Sequence, residues 1–172
     1  MAIVRRRLLG ALGLSVLGAT PAAALARSEQ NAAALDTALA ESPLLYLSPL
    51  RSNGALSRCQ AEVWFQAVPG AAVVVTRSDA WRARAIRQGL TATQLWIGDV
   101  GLWRRSNGSY RSLPSARATG TTIEDAAEQA RLLDLFGAKY RREWGVWGPR
   151  FRRGLNEGSR VMLRYDLEPL TS

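Results

Sequence analysis

Between residues 44 and 120 the chain alternates short apolar runs with turn-forming residues, and that rhythm restricts the fold more than any other feature. Leu44 to Leu50 (LLYLSPL) reads as a strand. Ser52-Asn53-Gly54 is a turn of the kind that joins hairpin strands. Ala55 to Phe65 reads as a second strand, densest at Val63-Trp64-Phe65. Pro69-Gly70 turns the chain again, and Ala71 to Thr76 (AAVVVT) is a buried strand by its β-branched run. Asp79 is placed to cap a short helix from Trp81 to about Gly89. Thr93 to Ile97 is a further strand, which Val100 to Trp103 continues or pairs. After the Ser106-Asn107-Gly108 turn, Tyr110 to Gly120 is a ragged strand. Thr122 to about Glu143 opens on acidic residues and carries Ala126, Ala130, Leu133 and Phe136 at helical spacing, so it reads as the longest helix. Trp144 to Pro149 reads as a loop, and Val161 to Tyr165 (VMLRY) as a closing strand. The expectation is a mainly β fold: one antiparallel split barrel over 44–168 with flanking helices and a long helix near the C-terminus.

The residues ahead of this domain are of another kind. Arg5, Arg6 and Arg7 precede an apolar stretch from Leu8 to Leu17, Pro21 reads as a helix breaker, and Ala24-Leu25-Ala26 offers a small-x-small cleavage site. Residues 1–26 therefore read as a signal peptide. The paired arginines before a Gly-containing apolar segment resemble a twin-arginine leader. The apolar stretch is short for a membrane span. The expected destination is periplasmic or extracellular, with no transmembrane span once the leader is removed. Residues 27–43 read as a helical lead-in, capped by Ser28 and ended by Pro43.

Residue chemistry narrows the function. The chain has no histidine and one cysteine, Cys59. That excludes Ser-His-Asp and Cys-His catalysis, His/Cys zinc clusters, a histidine-ligated haem and an internal disulfide. Removing Arg5, Arg6 and Arg7 with the leader lowers the formal +9 to about +6, a surplus that favours anionic partners. Nearly all of it is arginine, whose planar fork suits phosphate and carboxylate. Arg141, Arg142, Arg150, Arg152 and Arg153 lie among Trp144 and Trp147. Such a mixture can hold single-stranded nucleic acid, but an export leader argues against that ligand. A cofactor tail, an acidic lipid or a plain solvated loop are the other readings.

The order of strands, turns and basic helix over residues 44–98 resembles the pyridoxamine 5'-phosphate oxidase-like, FMN-binding split barrel. The resemblance runs through Gly54, Glu62-Val63-Trp64-Phe65, Gly70, Val74-Val75-Thr76, Trp81-Arg82-Ala83-Arg84, Gly89 and Leu95-Trp96-Ile97. It implies an FMN or 5-deazaflavin cofactor, a flavin-dependent oxidoreductase or a flavin binder, and a homodimer. By that pattern Thr76, Ser78, Arg82 and Arg84 hold the phosphate end, and Arg58, Gln60 and Trp64 lie against the ring. Ala80 departs from the pattern, which favours Ser there. The plain alternatives are core packing for Trp64, a solvated helix face for Arg82 and Arg84, and an ion pair with Glu62 for Arg58. The alternative function is a barrel without cofactor that serves as an envelope binding or scaffolding module.

Overall fold

The structure, a computed structural model, describes residues 21–169, with side chains from Glu29 onward. The leader's arginines and its apolar stretch lie outside the described residues. The chain runs α1 (Pro21–Glu41), β1 (Leu44–Pro49), β2 (Ala61–Trp64), β3 (Gln66–Val68), β4 (Ala71–Arg77), α2 (Trp81–Arg87), β5 (Ala92–Ile97), β6 (Ser115–Ile123), α3 (Ala126–Lys139), α4 (Arg141–Asn156) and β7 (Arg160–Leu167). Seven antiparallel strands form one sheet in the order β2-β1-β5-β6-β7-β4-β3. This is the split barrel with flanking helices that the sequence leads one to expect. No described helix is long and apolar enough to cross a membrane.

The split has an identifiable cause. β2 and β3 stand at opposite edges of the sheet yet are separated only by Phe65, so one short run of chain passes from edge to edge and nearly closes the barrel. Phe65 is fully buried, and a buried backbone needs partners. They come from one side chain. The Phe65 N–H donates to the Tyr140 hydroxyl at 2.9 Å, and that hydroxyl lies 2.8 Å from the carbonyls of both Phe65 and Pro43, where its proton can go.

Strand alternation then builds two cores. Inward-facing Leu45, Leu47, Ala72, Val74, Leu95, Ile97, Leu163 and Tyr165 fill the barrel. Outward-facing Val73, Val75, Ile123 and Met162 meet α3 and α4 through Leu132, Leu133, Phe136, Tyr140 and Phe151. Gly120 is needed inside, because a Cβ there would lie 2.7 Å from the Ile86 side chain and 3.0 Å from the Tyr165 ring.

Several sequence expectations are corrected. Residues 55–60 are not strand: Leu56 makes only an isolated bridge to Leu50, and Ser57 ties the loop to Ser48 and to the Cys59 amide. Cys59 is exposed on this loop. Val100 to Trp103 does not extend β5; Gly101 takes a positive φ, and Tyr46 pins this loop by bonds to Val100 N–H and Gly101 C=O. Residues 109–112 form a 3-10 turn, and β6 starts only at Ser115. The long helix breaks at Tyr140, which leaves helical geometry as its hydroxyl reaches Phe65. Asp125 caps α3 by accepting from the Glu128 N–H, as its helix-start charge suggests.

The largest correction is Trp144 to Pro149, which belongs to α4. Its glycines and proline read as loop, but tertiary contact decides. Gly148 is buried where a Cβ would meet Trp144, and Gly154 where one would meet the Arg160 stem. Pro149 removes one helical bond from the exposed Gly145, whose carbonyl can face water. Pro21 and Ser28, read as a breaker and a cap, both lie within α1.

Candidate functional site

β4 delivers its end residues to opposite sides of one wall. Thr76 follows Ala72 and Val74 inward and is 2% exposed, while Arg77 follows Val73 and Val75 outward into solvent. The chain then turns through Ser78-Asp79 into α2, which lies against β1 and β6. Asp79 is not the cap of α2. Ala80 occupies that position without a side-chain bond, and the Asp79 carboxylate is taken by Arg77 at 2.9 and 2.7 Å. That pairing holds Asp79 below the usual carboxylate range.

Under α2 the polar atoms are unusual. Thr76 Oγ1, Trp81 Nε1, Arg82 Nε and Tyr165 Oη are buried and have no hydrogen-bond partner among the described residues. Each of the four can donate, and an unpaired buried donor costs about 1–3 kcal/mol. Burial works against the Arg82 charge, with Tyr165 and Glu62 the groups that favour it. Burial raises the Tyr165 phenol above its ordinary value, and Arg82 opposes that rise, so the two side chains sense each other. Ile86 and Tyr165 meet around Gly120, which sets the later turn of α2 against the Ala72↔Tyr165 end of β4. This corner is rich in donors, and along β4 it runs from Tyr165, opposite Ala72, to Thr76, opposite Val161.

The seven residues expected from the sequence fall in three places. Thr76 and Arg82 lie in this corner, with Arg84 on the exposed side of α2, its guanidinium 5.7 Å from the Trp81 ring centre. Ser78 turns to the outer side beside Arg77, Ser159 and Arg160. Trp64 is also outside, stacked on Tyr140 at 4.4 Å and 9°. Arg58 is exposed on the 50–60 loop. Gln60 is half-buried there and donates to the Ser57 carbonyl at 3.0 Å. No ion pair joins Arg58 to Glu62 among the described residues; Glu62 accepts from the Trp103 N–H instead.

Sequence reasoning missed Trp81 and Tyr165 as corner residues, and Arg160 as a cation of the outer side. Alternation in VMLRY offered a signal, since it puts Tyr165 on the same face as the buried Leu163. Nothing local marked Trp81 or Arg160. No group of three or more acidic, histidine or cysteine side chains suited to a metal ion occurs among the described residues.

No protein-family model matches the chain, and none of the curated proteins is similar to it in sequence. Solved structures are similar in fold. HutZ, the heme storage protein from Vibrio cholerae, superimposes with a TM-score of 0.54 at 12% identity over 77% of this chain and 87% of its own. A putative pyridoxamine 5'-phosphate oxidase from Listeria innocua gives 0.51 at 11% identity over 83% of this chain and 94% of that one. Campylobacter jejuni ChuZ gives 0.56 at 10% identity, with 84% of this chain covering 58% of that protein. The likeness is one of fold, and it is the split-barrel resemblance read from residues 44–98.

Proposed function

We propose that the protein binds a flavin mononucleotide-type cofactor, a 5-deazaflavin coenzyme being the close second, and that the donor-rich corner under α2 receives its phosphate-bearing tail. The observation that carries this reading is the set of four buried donors without partners among the described residues: Thr76 Oγ1, Trp81 Nε1, Arg82 Nε and Tyr165 Oη. A phosphate is a doubly charged acceptor of several bonds, and Arg82 is the cation beside it. The residues present fit such a group. In this reading Thr76 and Arg82 hold the tail, Trp81 adds a donor, and Ser78 and Arg84 flank the turn. Arg58 and Gln60 keep the ring-side role that the family pattern gives them, while Trp64, stacked on Tyr140 on the outer side, faces away from this corner.

When bound, the cofactor supplies the hydride chemistry. The chain's own part is to anchor, orient and desolvate. No histidine is present to move a proton. Oxidoreductase activity, a homodimer and twin-arginine export to the periplasm or beyond belong to the same reading. The leader's paired arginines support export, because that route carries folded, cofactor-loaded chains.

The test is purification from the export compartment, followed by a scan of the flavin absorbance bands and mass spectrometry of any released cofactor. FMN and a deazaflavin are then titrated into the emptied protein. The reading expects saturable binding at tens of micromolar or tighter, and absence of binding by both would refute it. N-terminal sequencing of the exported protein tests the leader, with Arg27 the expected first residue.

One observation favours the second reading, a binding or scaffolding module without cofactor. Ala80 stands at the start of α2 with no side-chain bond, where the family pattern favours a hydroxyl. Under that reading Arg82→Lys has little effect on any flavin titration.

A further inference from the structure

The outer side of the β4 wall carries a second concavity, independent of the corner under α2. A cleft of about 290 Å³ is lined by Trp64, Val75, Trp147, Phe151 and Arg160. It adjoins a polar hollow of about 390 Å³ formed by Arg77, Ser78, Asp79, Ser159 and the same Arg160. Three rings form the apolar part. Trp64 meets Trp147 at 6.0 Å and 72° and Phe151 at 6.4 Å and 70°, while Trp147 and Phe151 are 5.9 Å apart. The cleft is therefore of ring size, apolar on its walls and polar at one end, the usual make-up of a small-molecule site.

The polar end is short of negative charge. The Arg160 guanidinium lies 5.1 Å from the centre of Phe151 and 5.9 Å from that of Trp147, and Arg150 lies 5.2 Å from Trp147. The one acid that lines the hollow, Asp79, is held in two bonds by Arg77. Among the described residues no carboxylate pairs with Arg150 or Arg160. Burial, then the nearby charges of Arg77 and Arg150, work against the Arg160 cation. An anion at this point would offset all three.

We propose that this cleft is a second ligand site, which takes a small planar aromatic oxyanion, its ring on Trp147, Phe151 and Trp64 and its charged group on Arg160. The spacing Trp147-x-x-x-Phe151 puts both rings on one face of α4. β7 supplies Arg160 from its first residue, and its stem is fixed against Gly154.

The full chain is titrated with 1-naphthyl phosphate and with uncharged 1-naphthol, followed by tryptophan fluorescence and calorimetry. The phosphate is expected to bind about ten-fold tighter than the alcohol, the scale of one charge-assisted contact. Arg160→Gln is expected to abolish that difference, and Trp147→Leu to weaken both probes. Arg150→Gln, at an exposed position that the fold does not need, is expected to weaken only the phosphate, by a few fold. Arg82→Lys should leave both titrations unchanged, which keeps this site distinct from the flavin corner. No binding of 1-naphthyl phosphate at millimolar concentration would overturn the proposal. So would equal affinity for the two probes, unchanged affinity in Arg160→Gln or Arg150→Gln, or loss of binding in Arg82→Lys.

Discussion

The two faces of β4 make sites of opposite character from one AAVVVTR segment. Inward, Ala72, Val74 and Thr76 lead to a corner of buried donors that have no partner among the described residues. Outward, Val73, Val75 and Arg77 lead to a cleft that is open and holds rings and cations. Alternation with a period of two makes this possible: neighbouring residues are separated by the thickness of the sheet, so their ligand chemistry need not be shared. Fold likeness therefore does not say which face is used, and each face has to be tested by itself.

The variant with the largest expected effect acts on the joint between the two faces. Tyr140→Phe removes the hydroxyl that serves the buried backbone of Phe65. Leaving that N–H and C=O unpaired should cost about 3 kcal/mol in urea unfolding. A loss below about 0.5 kcal/mol would show that the split is held by packing alone. Gly120→Ala acts on the inner face only. Its Cβ would press on Ile86 and Tyr165, so we expect a loss of about 1–3 kcal/mol, weaker FMN binding and an unchanged 1-naphthyl phosphate titration. Equal effects on both ligands would erase the distinction between the faces.

The smallest effect concerns Lys139, the chain's single lysine, whose amine lies 3.7 Å from the centre of the Phe65 ring. Burial pushes it down to about 8 from an ordinary 10.5. Between those values the unfolded chain binds more protons than the folded one, so stability should rise with pH. Above about 10 the buried phenols of Tyr140 and Tyr165, held protonated in the fold, reverse the trend. Chemical unfolding from pH 8 to 10 should therefore show a shallow rise that Lys139→Met removes. The same rise in the variant would assign it elsewhere.

The barrel was legible because its strands carry their own signal. The β-branched run at 71–76 and the turns at Gly54 and Gly70 need little tertiary context. α4 was not legible, since Gly145, Gly148 and Pro149 argue locally for a loop and only packing against Trp144 and β7 makes them helical. The corner was half legible. Thr76 and Arg82 follow from the family pattern, but Tyr165 comes beside Arg82 from the far end of the sequence, on the register Ala72↔Tyr165↔Gly120 rather than opposite Thr76. The break at Tyr140 was invisible for the same reason: its cause is Phe65, 75 residues away.

The most direct measurement compares FMN with riboflavin, which carries the same ring without the phosphate, on the parent chain and on Arg82→Lys. The account predicts FMN binding at least about ten-fold tighter than riboflavin in the parent, the scale of a lost charge-assisted contact, with most of that preference gone in the variant. Equal affinity for the two flavins, or a preference that survives Arg82→Lys intact, would contradict it.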